Sequence, residues 1–241
     1  MRCRRLMILL GWLAAPARGS CGDFTRIVVG DVDTATDAFA IDLDGDGSVD
    51  VVSASQYDRE SIISKVFWHQ NDGSMSPGFS EPNLIAGSGS SRFDDVFAID
   101  VDGDGDVDFL SANFDIDTVA WYENDGSESF TAHAVATYAD GPESVFAVDV
   151  DGDGDVDALS ASALDTVAWY ENDGSQLFTE HVITDSAGTA HSVYAIDVDG
   201  DGDVDPLSAS VTDDTVAWYE NDGSQGFTKR VITALANGAC S

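Results

Sequence analysis

The sequence predicts an all-β protein, a β-propeller of four-stranded antiparallel blades. Three observations predict it. First, an Asp-rich nonapeptide recurs at a spacing near fifty residues, starting at Asp42, Asp100, Asp149 and Asp197. Self-similarity at that period marks a propeller or a solenoid. Second, each unit holds four short runs rich in β-branched and aromatic residues, the content of one blade. Third, Asn-Asp-Gly-Ser recurs at Asn71, Asn124, Asn172 and Asn221. Its Asp-Gly step supplies the left-handed backbone of a hairpin turn.

The repeat region runs over 24–233. It contains four complete units, 37–86, 95–137, 144–185 and 192–233, plus one extra N-terminal strand. The third unit shows the parts most clearly. Val145–Asp149 enters the Asp-rich loop and Val156–Ser162 leaves it. Asp165–Glu171 is a third strand, Asn172–Ser175 the turn, and Phe178–Thr184 a fourth strand. Trp68, Trp121, Trp169 and Trp218 fall once per unit in the third strand. They are expected to pack in the core or between blades; sugar-stacking platforms are the alternative. Pro206 stands where the other units have Val51, Phe109 and Ala158. It removes a ladder donor, which is tolerable at the start of a strand.

The first unit departs from the rest. It carries an insertion, Gln56–Lys65, and is followed by a second irregular stretch, Ser74–Asp95. Non-repeated loops on a repeated scaffold are the natural place for recognition, and a tolerated insertion is the plainer alternative. At the leading end, Phe24–Val29 matches the fourth-strand pattern of Phe227–Thr233. Four blades can close a small ring with that strand over an edge, or the ring stays open and chains self-associate. Cys21 and Cys240 can form a disulfide that latches the ends, or remain free or pair with another chain. Residues 234–241 form a C-terminal tail.

The nonapeptide has the chemistry of a calcium loop. In the second copy Asp100, Asp102, Asp104 and Asp108 occupy positions 1, 3, 5 and 9, and Gly105 is at position 6. Alternate carboxylates in a tight turn converge, and glycine permits the sharp bend. Asp106 at position 7 can add its backbone carbonyl. Such a cage of hard oxygens suits Ca²⁺. Two carboxylates about 5 Å apart repel by roughly 3 kcal/mol at an effective dielectric near 20, so a fully ionised loop without a cation is expected to be disordered or partly protonated. The expected ligand set is Asp42, Asp44, Asp46, Ser48 and Asp50; Asp100, Asp102, Asp104, Asp106 and Asp108; Asp149, Asp151, Asp153, Asp155 and Asp157; and Asp197, Asp199, Asp201, Asp203 and Asp205. That implies about four Ca²⁺ per chain. An EF-hand is excluded, because it needs a bidentate Glu at position 12 and flanking helices. Position 12 here is Ser53, Ser111, Ser160 and Ser208, and the flanks read as strands.

The chain has 241 residues, 45 of them acidic, and a formal charge of −35. Four acidic residues in the first loop and five in each of the others make nineteen of the 45. The length allows one large β domain or two small ones, and 43% hydrophobic residues suffice for a core. The charge excludes nucleic acid as a partner and disfavours an anionic membrane surface. Residues 1–19 read as a secretory signal peptide: Arg2, Arg4 and Arg5, the apolar run Leu6–Ala15, then small residues for cleavage. The run is too short to span a membrane, and no later segment is apolar enough to insert. The expected location is therefore extracellular.

The order of these motifs resembles the FG-GAP/VCBS repeat family, which includes integrin-α-like β-propellers. The order is Phe/Tyr-Ala-Ile/Val-Asp-Val-Asp-Gly-Asp-Gly-Asp-Val-Asp, Leu-Ser-Ala-Ser, Val-Ala-Trp-Tyr-Glu-Asn-Asp-Gly-Ser and Phe-Thr, over about residues 24–233. The resemblance implies Ca²⁺ loops joining the first two strands of each blade. It also implies adhesion, or binding of an extracellular protein or glycan. Propellers of the integrin type have seven blades; this chain has four units. The expectation is a secreted, non-catalytic binding module. The alternatives are a carbohydrate-active enzyme or lectin, or a purely structural fragment of a larger extracellular protein. His69, His133, His181 and His191 sit at scattered repeat positions without a nucleophile motif.

Overall fold

The computed structural model describes residues 35–55, 64–74, 78–88, 92–127 and 129–235. The expected signal peptide, the strand at Phe24–Val29, the Cys21–Cys240 pair, residues 56–63 of the insertion and most of the tail lie outside them.

Among the described residues sixteen strands form four sheets, each a four-stranded antiparallel meander in chain order. Blade 1 is β1 (Ala35–Ile41), β2 (Asp50–Ser55), β3 (Ser64–His69) and β4 (Asn83–Ser88). Blade 2 is β5 (Phe93–Ile99), β6 (Asp108–Asn113), β7 (Thr118–Asn124) and β8 (Phe130–Ala136). Blade 3 is β9 (Pro142–Val148), β10 (Asp157–Ser162), β11 (Val167–Asn172) and β12 (Phe178–Thr184). Blade 4 is β13 (Ala190–Ile196), β14 (Asp205–Ser210), β15 (Thr215–Asn221) and β16 (Phe227–Thr233). The expected third strand of unit three starts two residues late. Asp165, at φ 72°, takes the left-handed backbone of the preceding turn instead.

Burial peaks at the second strand of each blade and is least at the fourth. β2, β6 and β10 are buried at every residue. They lie between two neighbours in their sheet, and β6 and β10 also lie between other blades on both faces. This explains their runs of Ala, Ser and Val without alternation. The outermost strands β8, β12 and β16 are largely exposed. Each hydrophobic cluster straddles one blade junction. Trp68, Val52 and Leu43 pack with Phe93, Val96 and Phe109, and Trp169, Leu159 and Val150 pack with Ala190, Val193 and Ala195. Trp68, Trp121 and Trp169 are buried between blades, as the repeat suggests. Truncating one to Ala should cost about 3–5 kcal/mol.

The first strands run side by side, β1 against β5, β5 against β9 and β9 against β13. Their aromatics form a column: Phe39 to Phe97 at 5.2 Å, Phe97 to Phe146 at 4.7 Å, Phe146 to Tyr194 at 4.6 Å between ring centres. A hydrogen-bonded row accompanies it. Val96 N–H donates to Asp37 (3.3 Å), Val145 N–H to Asp95 (2.9 Å) and Val193 N–H to Ser144 (3.2 Å). Among the described residues, no contact of similar extent joins β13 back to β1. Pro206 pairs with Ala195 on β13, but the β14–β15 ladder begins only at Leu207. The missing N–H falls beyond the end of that ladder. No helix among the described residues is long and apolar enough to cross a membrane.

Candidate metal centres

Each Asp-rich loop joins the first and second strands of its blade, so all four loops sit at one end of their sheets. The bend is built on glycine. Gly47, Gly105, Gly154 and Gly202 have φ of 90°, 99°, 101° and 101°. A Cβ there would meet no atom within 4 Å, so the requirement is backbone conformation and not space.

The structure sorts the expected ligands by position. Carboxylates 1, 3 and 9 converge: Asp42, Asp44 and Asp50; Asp100, Asp102 and Asp108; Asp149, Asp151 and Asp157; Asp197, Asp199 and Asp205. Within each group the oxygens lie within 4.8 Å of one another. Position 5 turns to its own loop, and Asp46, Asp104, Asp153 and Asp201 each accept the N–H two residues on (2.7–3.0 Å). The carboxylates of Asp106, Asp155 and Asp203 lie against Gly126, Gly174 and Gly223 of the Asn-Asp-Gly-Ser turn, and the Ser48 hydroxyl lies against Gly73.

Position 9 does more than converge. Asp50, Asp108, Asp157 and Asp205 are at most 1% exposed. One oxygen accepts the N–H of position 2: Leu43 (3.2 Å), Val101 (3.0 Å), Val150 (2.9 Å) and Val198 (2.9 Å). The other accepts the N–H of the turn Asn: Asn71 (2.7 Å), Asn124 (2.7 Å), Asn172 (2.8 Å) and Asn221 (2.8 Å). Trp68 Nε1 adds a third bond, to Asp50, at 2.9 Å. The Asn side chain then donates to the carbonyl of position 8, as Asn124 does to Val107 at 3.1 Å. Each loop is thereby pinned to the far end of the third strand. The recurrence of Asn at 71, 124, 172 and 221 was the available signal for this clamp. A turn role alone accounted for that recurrence.

The remaining loop bonds are also backbone to carboxylate. Gly103 and Gly105 N–H reach Asp100 at 2.8 and 3.0 Å, and Asp104 N–H reaches Asp102 at 3.2 Å. These donors favour ionised carboxylates, whereas burial and crowding oppose them. Burial pushes Asp108 up to about 6 and Asp157 up to about 7, partly offset by the bonds from Asn124 and Asn172. Asp50 is raised by the same cause. Asp102 and Asp151 are raised by burial and then by neighbouring carboxylates, Glu123 and Glu171 among them.

Three crowded carboxylates at one point are stabilised by a cation. Asp42 Oδ1 is buried with no hydrogen-bond partner, and an orphaned buried oxygen of this kind is costly unless a charge faces it. The donors are all oxygen, so they fit a hard divalent ion such as Ca²⁺ better than a thiolate- or imidazole-seeking metal. Asp42, Asp44 and Asp50 and their equivalents would hold it.

The other chemistry-bearing residues lie elsewhere. His133 and His181 stack on Trp121 and Trp169 at 4.6 Å and meet Glu123 and Glu171 at 2.7 Å. His69 is buried in the place of Tyr122, Tyr170 and Tyr219, with Nε2 2.9 Å from Ser53 Oγ. Tyr170 and Tyr219 bond Ser160 and Ser208 in the same way. The position-12 serines are thus partners of the third strand. At the end of the sheets away from the loops, Arg92 pairs with Asp94 at 2.6 Å and its guanidinium lies 3.9 Å over Phe114.

A family model described as an FG-GAP-like repeat matches residues 42–111, 100–160 and 150–208. No curated protein matches the chain.

Proposed function

The chain belongs to the FG-GAP-like repeat family, and from that premise we propose that it is a calcium-binding, non-catalytic recognition module that works outside the cell. The observation that carries the metal part is the fourfold Asp triad, built the same way in every blade. When bound, Ca²⁺ supplies positive charge that offsets the carboxylate repulsion at the loop. The chain's own residues do the rest. Position 9 fixes the loop to the third strand, position 1 closes the Gly turns, and positions 1, 3 and 9 present oxygens to one point. The ion therefore holds the entry to each blade in one conformation.

The extracellular part is supported by the signal-like residues 1–19, and extracellular Ca²⁺ is abundant enough to keep weak sites of this kind filled. The partner is an extracellular protein or glycan, and the non-repeated stretches Gln56–Lys65 and Ser74–Asp95 are the places to look for its contact. Equilibrium dialysis should return about four Ca²⁺ per chain; one or none would refute the metal reading. A glycan and protein array probed with and without Ca²⁺ tests recognition. Turnover of a polysaccharide in a panel of substrates would replace binding with catalysis.

A further inference from the structure

At three places in the chain one blade covers the next with the same pair of faces. In blade 3 the covered face is Phe146 and Val148 on the first strand, Val150 in the loop, and Leu159, Val167 and Trp169 farther out. The last three are at most 1% exposed under blade 4. Blade 4 repeats this face residue for residue as Tyr194, Ile196, Val198, Leu207, Val216 and Trp218. There no other blade among the described residues covers it. Tyr194 is 51% exposed, Ile196 50% and Val198 42%, and Leu207, Val216 and Trp218 are half-buried. Leaving so much apolar side chain in water forgoes the burial that every other junction obtains.

Two repeated features stop at the same edge. The aromatic column ends at Tyr194, which touches Phe146 on one side only. The row of first-strand acceptors runs Asp37, Asp95, Ser144, each taking an N–H from the next blade. Ser192 holds the fourth place in that row, half-buried, and among the described residues no next strand meets it. A surface with those features fits the first strand of another blade of this repeat type: small side chains, a free N–H and an aromatic ring.

The other end of the arc offers such a strand. Val96 and Ala98, Val145 and Ala147, and Val193 and Ala195 are the buried pairs that meet a preceding blade. Their counterparts on β1 are Ala38, half-buried, and Ala40, exposed. Farther out on that side Val51, Ser53 and His69 are already buried, so blade 1 offers its inner strip. We propose that the inner strip of the free face of blade 4, Tyr194, Ile196 and Val198, docks on the first strand of blade 1 of a second copy of this chain. Two such junctions, related by a twofold axis, join two copies head to tail into a ring of eight blades. That number lies within the range of known propellers.

The test is the mass of the full chain in Ca²⁺-containing buffer, by light scattering or sedimentation across a dilution series. The expected species has twice the chain mass. Ile196→Glu alters a side chain that is half in water in the single chain, so each chain should still fold and melt cooperatively, with the Tm of an unassociated chain, and the mass should fall to that of one chain. Ala40→Glu, on the other side of the same junction, should do the same. An equimolar mixture of the two variants retains one intact junction and should recover a twofold species. A wild-type chain that stays single at every concentration overturns the proposal. So does a twofold species that Ile196→Glu breaks and Ala40→Glu leaves intact, since that would mean two blade-4 faces packing on each other.

Discussion

The first Asp-rich loop and the three later ones have the same backbone and different charge. Loops 2 to 4 each have Asp at position 7 and a Glu, 123, 171 or 220, just before the turn Asn. Glu123 and Glu171 add to the negative field that raises Asp102 and Asp151. The first loop has Ser48 at position 7 and Gln70 in place of the Glu. Gln70 Nε2 donates to Asp44 Oδ2 at 2.6 Å, so a neutral donor stands where blades 2 and 3 place a like charge; in blade 4 Glu220 is paired with Arg230. Trp68 adds its bond to Asp50. The first loop has fewer like charges to balance, although its Asp42 Oδ1 lacks the N–H that Gly103, Gly152 and Gly200 supply in the other loops; on charge alone the later loops would draw more strongly on a cation. Need for metal and affinity for metal rise together here, because both come from uncompensated carboxylates.

Chelation should give the largest effect. At free Ca²⁺ a hundredfold above Kd, each site adds about 2.7 kcal/mol to native stability. Several filled sites in a chain of this size correspond to a drop in Tm on the order of 20 °C when EDTA is added. A melt indifferent to chelator would contradict a structural role for the loops. The comparison itself is read from a calorimetric titration, which should resolve three tighter sites and one weaker. Four equal sites would mean that Ser48 and Gln70 do not matter.

Next in size are single substitutions that separate clamp from ligand. Asp108→Ala strips the partner from two buried N–H groups, at roughly 1–3 kcal/mol each. Its Tm should fall by about 5–10 °C whether or not Ca²⁺ is present. Asp102→Ala removes only a converging carboxylate. It should cost stability in Ca²⁺ and nothing, or a slight gain, in EDTA. Equal losses from both variants in EDTA would mean that position 9 is no more than another ligand.

Much of this was legible in the sequence, because repetition made each unit a control for the others. The blade content, the loop and its position between the first two strands, and the one-per-blade Trp all follow from period and pattern. What the sequence hid depends on contacts between units. Position 9 looks like any other carboxylate until burial and the N–H groups of Val101 and Asn124 single out Asp108. The uniform burial of β2, β6 and β10 defeats the alternation by which a strand shows its inner face. Asp37 and Asp95, five residues before their loops, read as surface acids. They lie at a blade junction, where each accepts a backbone N–H from the next blade.

That far end of the sheets is the control for the loop comparison, since its chemistry should not respond to metal. Burial, with Asp37 beside it, pushes Asp95 up to about 8. The folded state therefore holds a proton that the unfolded chain, with a carboxylate pKa near 4, releases. The stability from this proton is complete below pH 4 and is lost as pH rises through about 8. Asp95→Asn keeps an oxygen for Val145 and never ionises. In Ca²⁺-saturated protein its Tm should exceed wild type by several °C at pH 8.5, with the gap narrowing as pH falls and closing only towards pH 4. A variant melting below wild type at pH 8.5 would show that the ionised pair is stabilising.

The smallest effect tests the comparison most directly. Gln70→Glu gives the first loop the charge that the other three have and removes the amide that donates to Asp44. Without Ca²⁺ the new carboxylate faces Asp44 with no donor between them. The expected loss is about 0.5–1 kcal/mol, or 1–3 °C. With Ca²⁺ the added negative field should strengthen the weakest site several-fold, and the titration should move towards four similar sites. Adding Ser48→Asp should extend both changes in the same direction. If the double variant loses stability in EDTA without gaining affinity, charge does not set the difference between the loops. The hydrogen bond from Gln70, or the His69 packing behind it, would then be the cause.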